Sequence, residues 1–100
     1  MQYSDDSTGS STTGRVARRH KLFEPVEIIV DRQPARAHLL NISTTGALVH
    51  SVAPPATGAS VKLRLLGTER SARVVWSDAS RFGVLFETKL SDPVLGAVLR

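Results

Sequence analysis

One hundred residues suffice for a single small domain, and a composition of 41% hydrophobic and 22% charged residues excludes a wholly disordered chain. The absence of cysteine excludes disulfide staples, thiolate nucleophiles and thiolate metal ligands. The net charge of +4, with ten arginines against three lysines, points to an anionic partner, because arginine's planar fork grips phosphate at two points and stacks on flat rings.

In chain order, residues 1–14 are Ser, Thr, Gly and Asp with almost no apolar content, and are predicted to form a disordered tail. Residues 15–21 then turn basic, through Arg15, Arg18, Arg19, His20 and Lys21, and make a cationic arm. The folded domain is expected from Leu22-Phe23 to the end, over 22–100. Within it the hydrophobic period is two. Val26 to Val30 reads as a strand ending at Asp31, followed by a turn through Arg32-Gln33-Pro34. A second strand spans Ala35 to Ile42, where plain alternation puts Ala37, Leu39 and Asn41 on one face. Ala47 to His50 is a third strand, and Pro54-Pro55 with Gly58 marks a loop. Val61 to Leu65 alternates apolar with basic, Ser71 to Trp76 is a fifth strand, and Phe82 to Phe86 a sixth after the Asp78-Ala79-Ser80 turn. Phe23, Phe82 and Phe86 look like core. Six short strands at this spacing predict an all-β fold, a closed or nearly closed antiparallel barrel.

The period changes in the last segment. Ser91 or Asp92 can cap a helix, Pro93 suits its first turn, and Val94, Leu95, Val98 and Leu99 form one apolar stripe. A short C-terminal helix is expected to plug one end of the barrel. No apolar run approaches the roughly 18 residues of a membrane span, and the first residues hold no apolar export segment. A cytoplasmic location without membrane contact is therefore expected.

Two short motifs carry the chemistry. Arg15 and Arg19 are four apart inside the basic arm, with Arg18 between them. That spacing is weak alone, since Arg32 and Arg36 share it; those two straddle Pro34 in the expected hairpin turn and read as solvated surface. Asn41-x-Ser43-x-x-Gly46 is rarer. It reads either as a turn, in which Asn and Ser bond their own backbone and Gly46 supplies positive φ, or as a polar shelf. As a shelf it offers an amide, a hydroxyl and close backbone approach to a ligand. Trp76, the sole tryptophan, reads as a half-buried rim residue or as an aromatic surface for a ligand ring. Arg73, three residues earlier, is expected on the opposite face of its strand. His20, His38 and His50 are isolated and make no metal site, and His38 is expected on an outer face. No catalytic elbow, phosphate loop or paired carboxylate occurs, so no catalytic residue is assigned and the chain is not expected to be an enzyme.

In these residues the chain resembles a PilZ domain, the bacterial receptor module for cyclic di-GMP. The RxxxR motif matches Arg15 and Arg19, and the [D/N]xSxxG motif matches Asn41, Ser43 and Gly46. Pro25-Val26, Gly46-Ala47-Leu48-Val49, Gly58-x-x-Val61-x-Leu63, Ala72-Arg73-Val74-Val75-Trp76 and Phe82-Gly83-Val84-Leu85-Phe86 keep the register. The resemblance covers about residues 15 to 92. It implies a six-stranded barrel with a C-terminal helix, and an arm that wraps the ligand. Arg15 and Arg19 would meet guanine edges and phosphates, with Arg18 adding charge, while Asn41, Ser43 and Gly46 hold the ligand from the barrel. It also implies a ligand rather than a cofactor, and a downstream protein partner of unknown identity. Gly14, before the first arginine, leaves open whether one or two ligand molecules bind. Two alternatives stand beside this reading. A small basic barrel can bind single-stranded nucleic acid, although five aromatics are too few for a stacking platform. A ligand-free interaction module is the other, against which the retention of both motifs argues.

Overall fold

A computed structural model describes residues 17–100. Alternating apolar residues generate six strands: β1 (His20–Val30), β2 (Gln33–Ile42), β3 (Gly46–His50), β4 (Ser60–Leu65), β5 (Thr68–Ser77) and β6 (Arg81–Phe86). All neighbouring pairs are antiparallel, and the sheet closes in the order β1-β2-β3-β6-β5-β4. Closure removes the exposed edges that an open sheet would present. Each strand sends one face inward. β4 is the plainest case, with Val61, Leu63 and Leu65 buried between exposed Ser60, Lys62 and Arg64. The fold class and strand count agree with the sequence pattern.

Ser91 is the helix cap: its Oγ accepts from the Val94 N–H at 3.3 Å and opens α1 (Asp92–Val98), with Pro93 in the first turn. Leu95 is buried in the barrel core, and Val94, Val98 and Leu99 pack against it, as the stripe predicts. Among the described residues no helix is long and apolar enough to cross a membrane.

Four expectations need correction. β1 starts at His20, so the strand takes in the end of the basic segment. The first turn is Asp31-Arg32, both with positive φ (51° and 66°), the handedness that matches strand twist. Pro34 is therefore inside β2 and pairs with Ile29, and Arg36 pairs with Glu27. A proline is tolerated there because β3 joins β2 only from His38 onward, leaving the other edge at Pro34 with no ladder to serve. Phe23 is not core: it is 68% exposed and stacks on His38, ring centroids 4.6 Å apart and 9° from parallel. Phe82 and Phe86 are buried as expected.

The fourth correction concerns facing. β2 and β5 each carry a bulge, between Leu39 and Asn41 and between Val74 and Trp76. One extra residue, Leu40 or Val75, inverts the in–out alternation beyond it. Ala37, Leu39 and Ile42 point inward while Asn41 leaves their face, and Ala72 and Val74 point inward while Arg73 and Trp76 share the outer surface. Alternation alone puts Asn41 with Leu39, and Trp76 opposite Arg73; the bulges overturn both.

Candidate functional site

Ser43, Thr44 and Thr45 connect β2 to β3 in a tight turn, closed by the Ser43 N–H donating to the Gly46 carbonyl at 2.9 Å. The Ser43 hydroxyl belongs to a residue only 1% exposed. Its oxygen accepts from the N–H groups of Thr45 and Gly46, both at 3.2 Å, and meets the Thr45 hydroxyl at 3.2 Å. Backbone bonds from Phe86 to Thr45 and from Leu90 to Thr44, each 2.8 Å, tie this turn to the end of β6 and the chain that follows it. Gly46 does not occupy the left-handed region; the positive-φ glycines among the described residues are Gly58 and Gly67. It is glycine because a Cβ would run into the Val84 carbonyl oxygen across the β3–β6 pair. Its close approach is to the protein's own backbone. The hydroxyl and the glycine are thus committed to the turn's own backbone and to the close approach of β3 to β6.

Asn41 is the outward-facing, half-buried end of the motif. By register it lies in a row across the outer surface: Lys21 on β1, Asn41 on β2, Leu48 on β3, Gly83 on β6 and Trp76 on β5. Three strand spacings of about 4.8 Å separate Asn41 from Trp76, so the two lie within roughly 14 Å. Between them is a cleft of about 220 Å³ lined by Arg19, Asn41, Leu48, Trp76, Gly83 and Leu85, with Ala47, Val75 and Val84 completing it. No carboxylate lines it among the described residues.

The arm reaches this cleft. Arg19 Nη1 donates to Asn41 Oδ1 at 2.8 Å, joining segments 22 residues apart. A guanidinium on a neutral amide oxygen is charge-assisted, yet an amide does not neutralise the cation, and among the described residues no carboxylate pairs with Arg19. Arg18 is exposed beside it. Arg15 lies outside the described residues, as does the 1–14 tail. Thus Arg19, Asn41 and Trp76 come together around one cleft, while Ser43 and Gly46 lie outside its lining, at the turn that joins β2 to β3.

Leu48, Gly83 and Leu85 do not stand out in the sequence as site residues. The signals are there: leucines at outward positions of β3 and β6, and a glycine in the interior of a strand, which marks a close approach. A larger cleft, about 350 Å³, includes Ile29, Asp31, Arg32, Lys62, Glu69 and Glu87 in its lining. It suits an anion less, because three carboxylates line it and Lys62 is 3.7 Å from Glu69. Among the described residues no group of three or more histidine or acidic side chains is arranged to hold a metal.

A family model described as PilZ domain matches residues 7–100. Among solved structures the chain is similar to the Bacillus subtilis inhibitor of motility MotI/DgrA, with a TM-score of 0.65 and 18% identity over 88% of this chain and 49% of that one. It thus spans about half the length of that protein. It is also similar to the PilZ domain of CeSA from a cellulose-synthesizing bacterium, with a TM-score of 0.59 and 22% identity over 83% of this chain and 92% of that one. At these identities the two structures speak to fold alone. No curated protein matches the chain.

Proposed function

We propose that this chain, which belongs to the PilZ domain family, is a receptor for cyclic di-GMP that closes its arginine arm over the outer barrel surface and so signals to a protein partner. The family is one of cyclic di-GMP receptors and binding domains. The observation that carries the reading to this chain is the 2.8 Å bond from Arg19 to Asn41, which joins one residue of each motif at a cleft that Trp76 lines and that no carboxylate lines among the described residues.

In this reading Arg19 turns its remaining N–H groups on a phosphate or the acceptor edge of guanine, and Arg15 closes from the segment before it. Asn41 supplies an amide to the purine edge, and Trp76 a ring for stacking. Ser43 and Gly46 act mainly through the shape of the turn, and Arg18 adds field rather than a fixed contact. Ordering a free arm costs about 1–2 kcal/mol per residue, which charged hydrogen bonds of about 1.5–3 kcal/mol each barely offset. An arm whose base is already seated on Asn41 has less to lose. The ligand's two negative charges would offset part of the cluster of Arg15, Arg18, Arg19 and Lys21, giving a partner a different surface to read.

Titration calorimetry of cyclic di-GMP tests it. Arg19→Ala is expected to weaken binding roughly 10- to 100-fold, the worth of one or two charged hydrogen bonds. Arg15→Ala should do the same, and Arg32→Ala, in the opposite cation pair, should leave affinity unchanged. Equal losses in all three would reduce the site to nonspecific charge.

A further inference from the structure

Gly83 sits in the middle of β6 and faces outward, between Leu48 on β3 and Trp76 on β5. The three atoms nearest to any side chain there all belong to one neighbour, Trp76. A Cβ on Gly83 would stand 2.8 Å from Cε2 and 2.9 Å from Cδ1 of the Trp76 indole, and closer still to Nε1. The five-membered part of the indole therefore lies over the Gly83 backbone. A tryptophan released to the outer surface by the Val75 bulge could stand away from the sheet. Here it leans across β6 toward β3, into the lining of the cleft that also holds Arg19 and Asn41. It remains 43% exposed, so the ring is held by the sheet yet open to a ligand.

We infer that Gly83 is a positioning residue of the ligand site: its missing side chain lays the Trp76 indole down as the aromatic wall of the cleft, opposite the Arg19–Asn41 pair. Two consequences follow from the geometry. Any side chain at position 83 lifts the indole, because the obstructing atoms belong to a side chain that can rotate outward rather than to backbone. The barrel itself is then spared, since Gly83 and Trp76 both lie on its outer surface. The inference rests on the cyclic di-GMP reading only for the identity of the ligand; the seating of the indole stands apart from it.

The sole tryptophan reports on itself. In Gly83→Ala the far-ultraviolet circular dichroism should be retained and the Trp76 emission should shift to the red before any ligand is added. Cyclic di-GMP affinity should fall about tenfold, within the range of a lost base–aromatic stack. Trp76→Ala should cost as much, and the double variant Gly83→Ala/Trp76→Ala no more than Trp76→Ala alone, because both act through one ring. Unchanged emission in Gly83→Ala overturns the seating. Unchanged affinity, or losses that add in the double variant, overturns the positioning role. Should Gly83→Ala fail to fold, wild-type emission decides: cyclic di-GMP must change it, and a bound ligand that leaves it unaltered overturns the inference. A wild-type protein that leaves cyclic di-GMP unbound instead sinks the proposed function, while the emission shift in Gly83→Ala still stands or falls alone.

Discussion

Asn41 and Ser43 are two residues apart in one motif and face different surroundings. Asn41 is half-buried on the outer surface with its amide oxygen on Arg19, whereas Ser43 is enclosed and bonds the backbone of its own turn. Removing each should read differently. Asn41→Ala should weaken cyclic di-GMP binding about tenfold in calorimetry and leave the urea midpoint close to wild type. Ser43→Ala strands the buried N–H of Gly46 and the part-buried N–H of Thr45, at a cost of about 1–3 kcal/mol, so its loss of binding should come with a lowered urea midpoint. The two glycines divide in the same manner. A methyl at Gly83 meets a side chain that can move, but a methyl at Gly46 meets the Val84 carbonyl. Gly46→Ala must push β3 from β6 and should cost about 1–3 kcal/mol in denaturant unfolding, whether or not ligand is present.

Among the elements, the bulges matter most for function. Were β2 and β5 to run through Leu40 and Val75 without bulging, strict alternation would aim Asn41 and Trp76 into the barrel, where an amide has no partner and an indole no room. One extra residue in β2 and one in β5 turn both onto the same outer surface. The start of β1 belongs to the same arrangement, since Lys21 pairs with Asn41 and brings Arg19 within reach of its amide. At the other end of the chain α1 depends on its cap. Ser91→Ala should cost about 1 kcal/mol and lower Tm by roughly 4–8 °C. Cyclic di-GMP affinity should be unchanged, because α1 contributes nothing to the cleft lining.

For the molecule as a whole, the ion pairs among the described residues gather away from the site. Arg64 bonds Glu69 at 3.0 Å and lies 3.3 Å from Glu27, on the β1–β4–β5 side. With Arg19 in its lining and no carboxylate there among the described residues, the cleft would favour any anion, so a polynucleotide must be distinguished from a compact dinucleotide. A polynucleotide spread over many arginines should lose affinity steeply with salt, and cyclic di-GMP only shallowly. In a proton–nitrogen NMR titration, residues 17–21, 41–46 and the Trp76 indole should shift together, leaving 29–36 still. Much of the architecture is legible in the order of residues alone. Period-two alternation specifies six strands, since a strand buried on one face requires it. Ser91, Pro93 and the stripe specify the helix, because caps and faces are local. The paired motifs mark the arm and the turn. Facing is another matter: a bulge has no local signature in Leu-Leu-Asn or Val-Val-Trp, and only pairing with β3 and β6 shows which residue is extra. Phe23 reads as core because hydrophobicity predicts burial, and yet closure of the barrel leaves it outside on His38. Local chemistry thus determined the elements and the ligand-binding candidates, while contacts between distant strands decided where Arg19, Asn41, Gly83 and Trp76 meet.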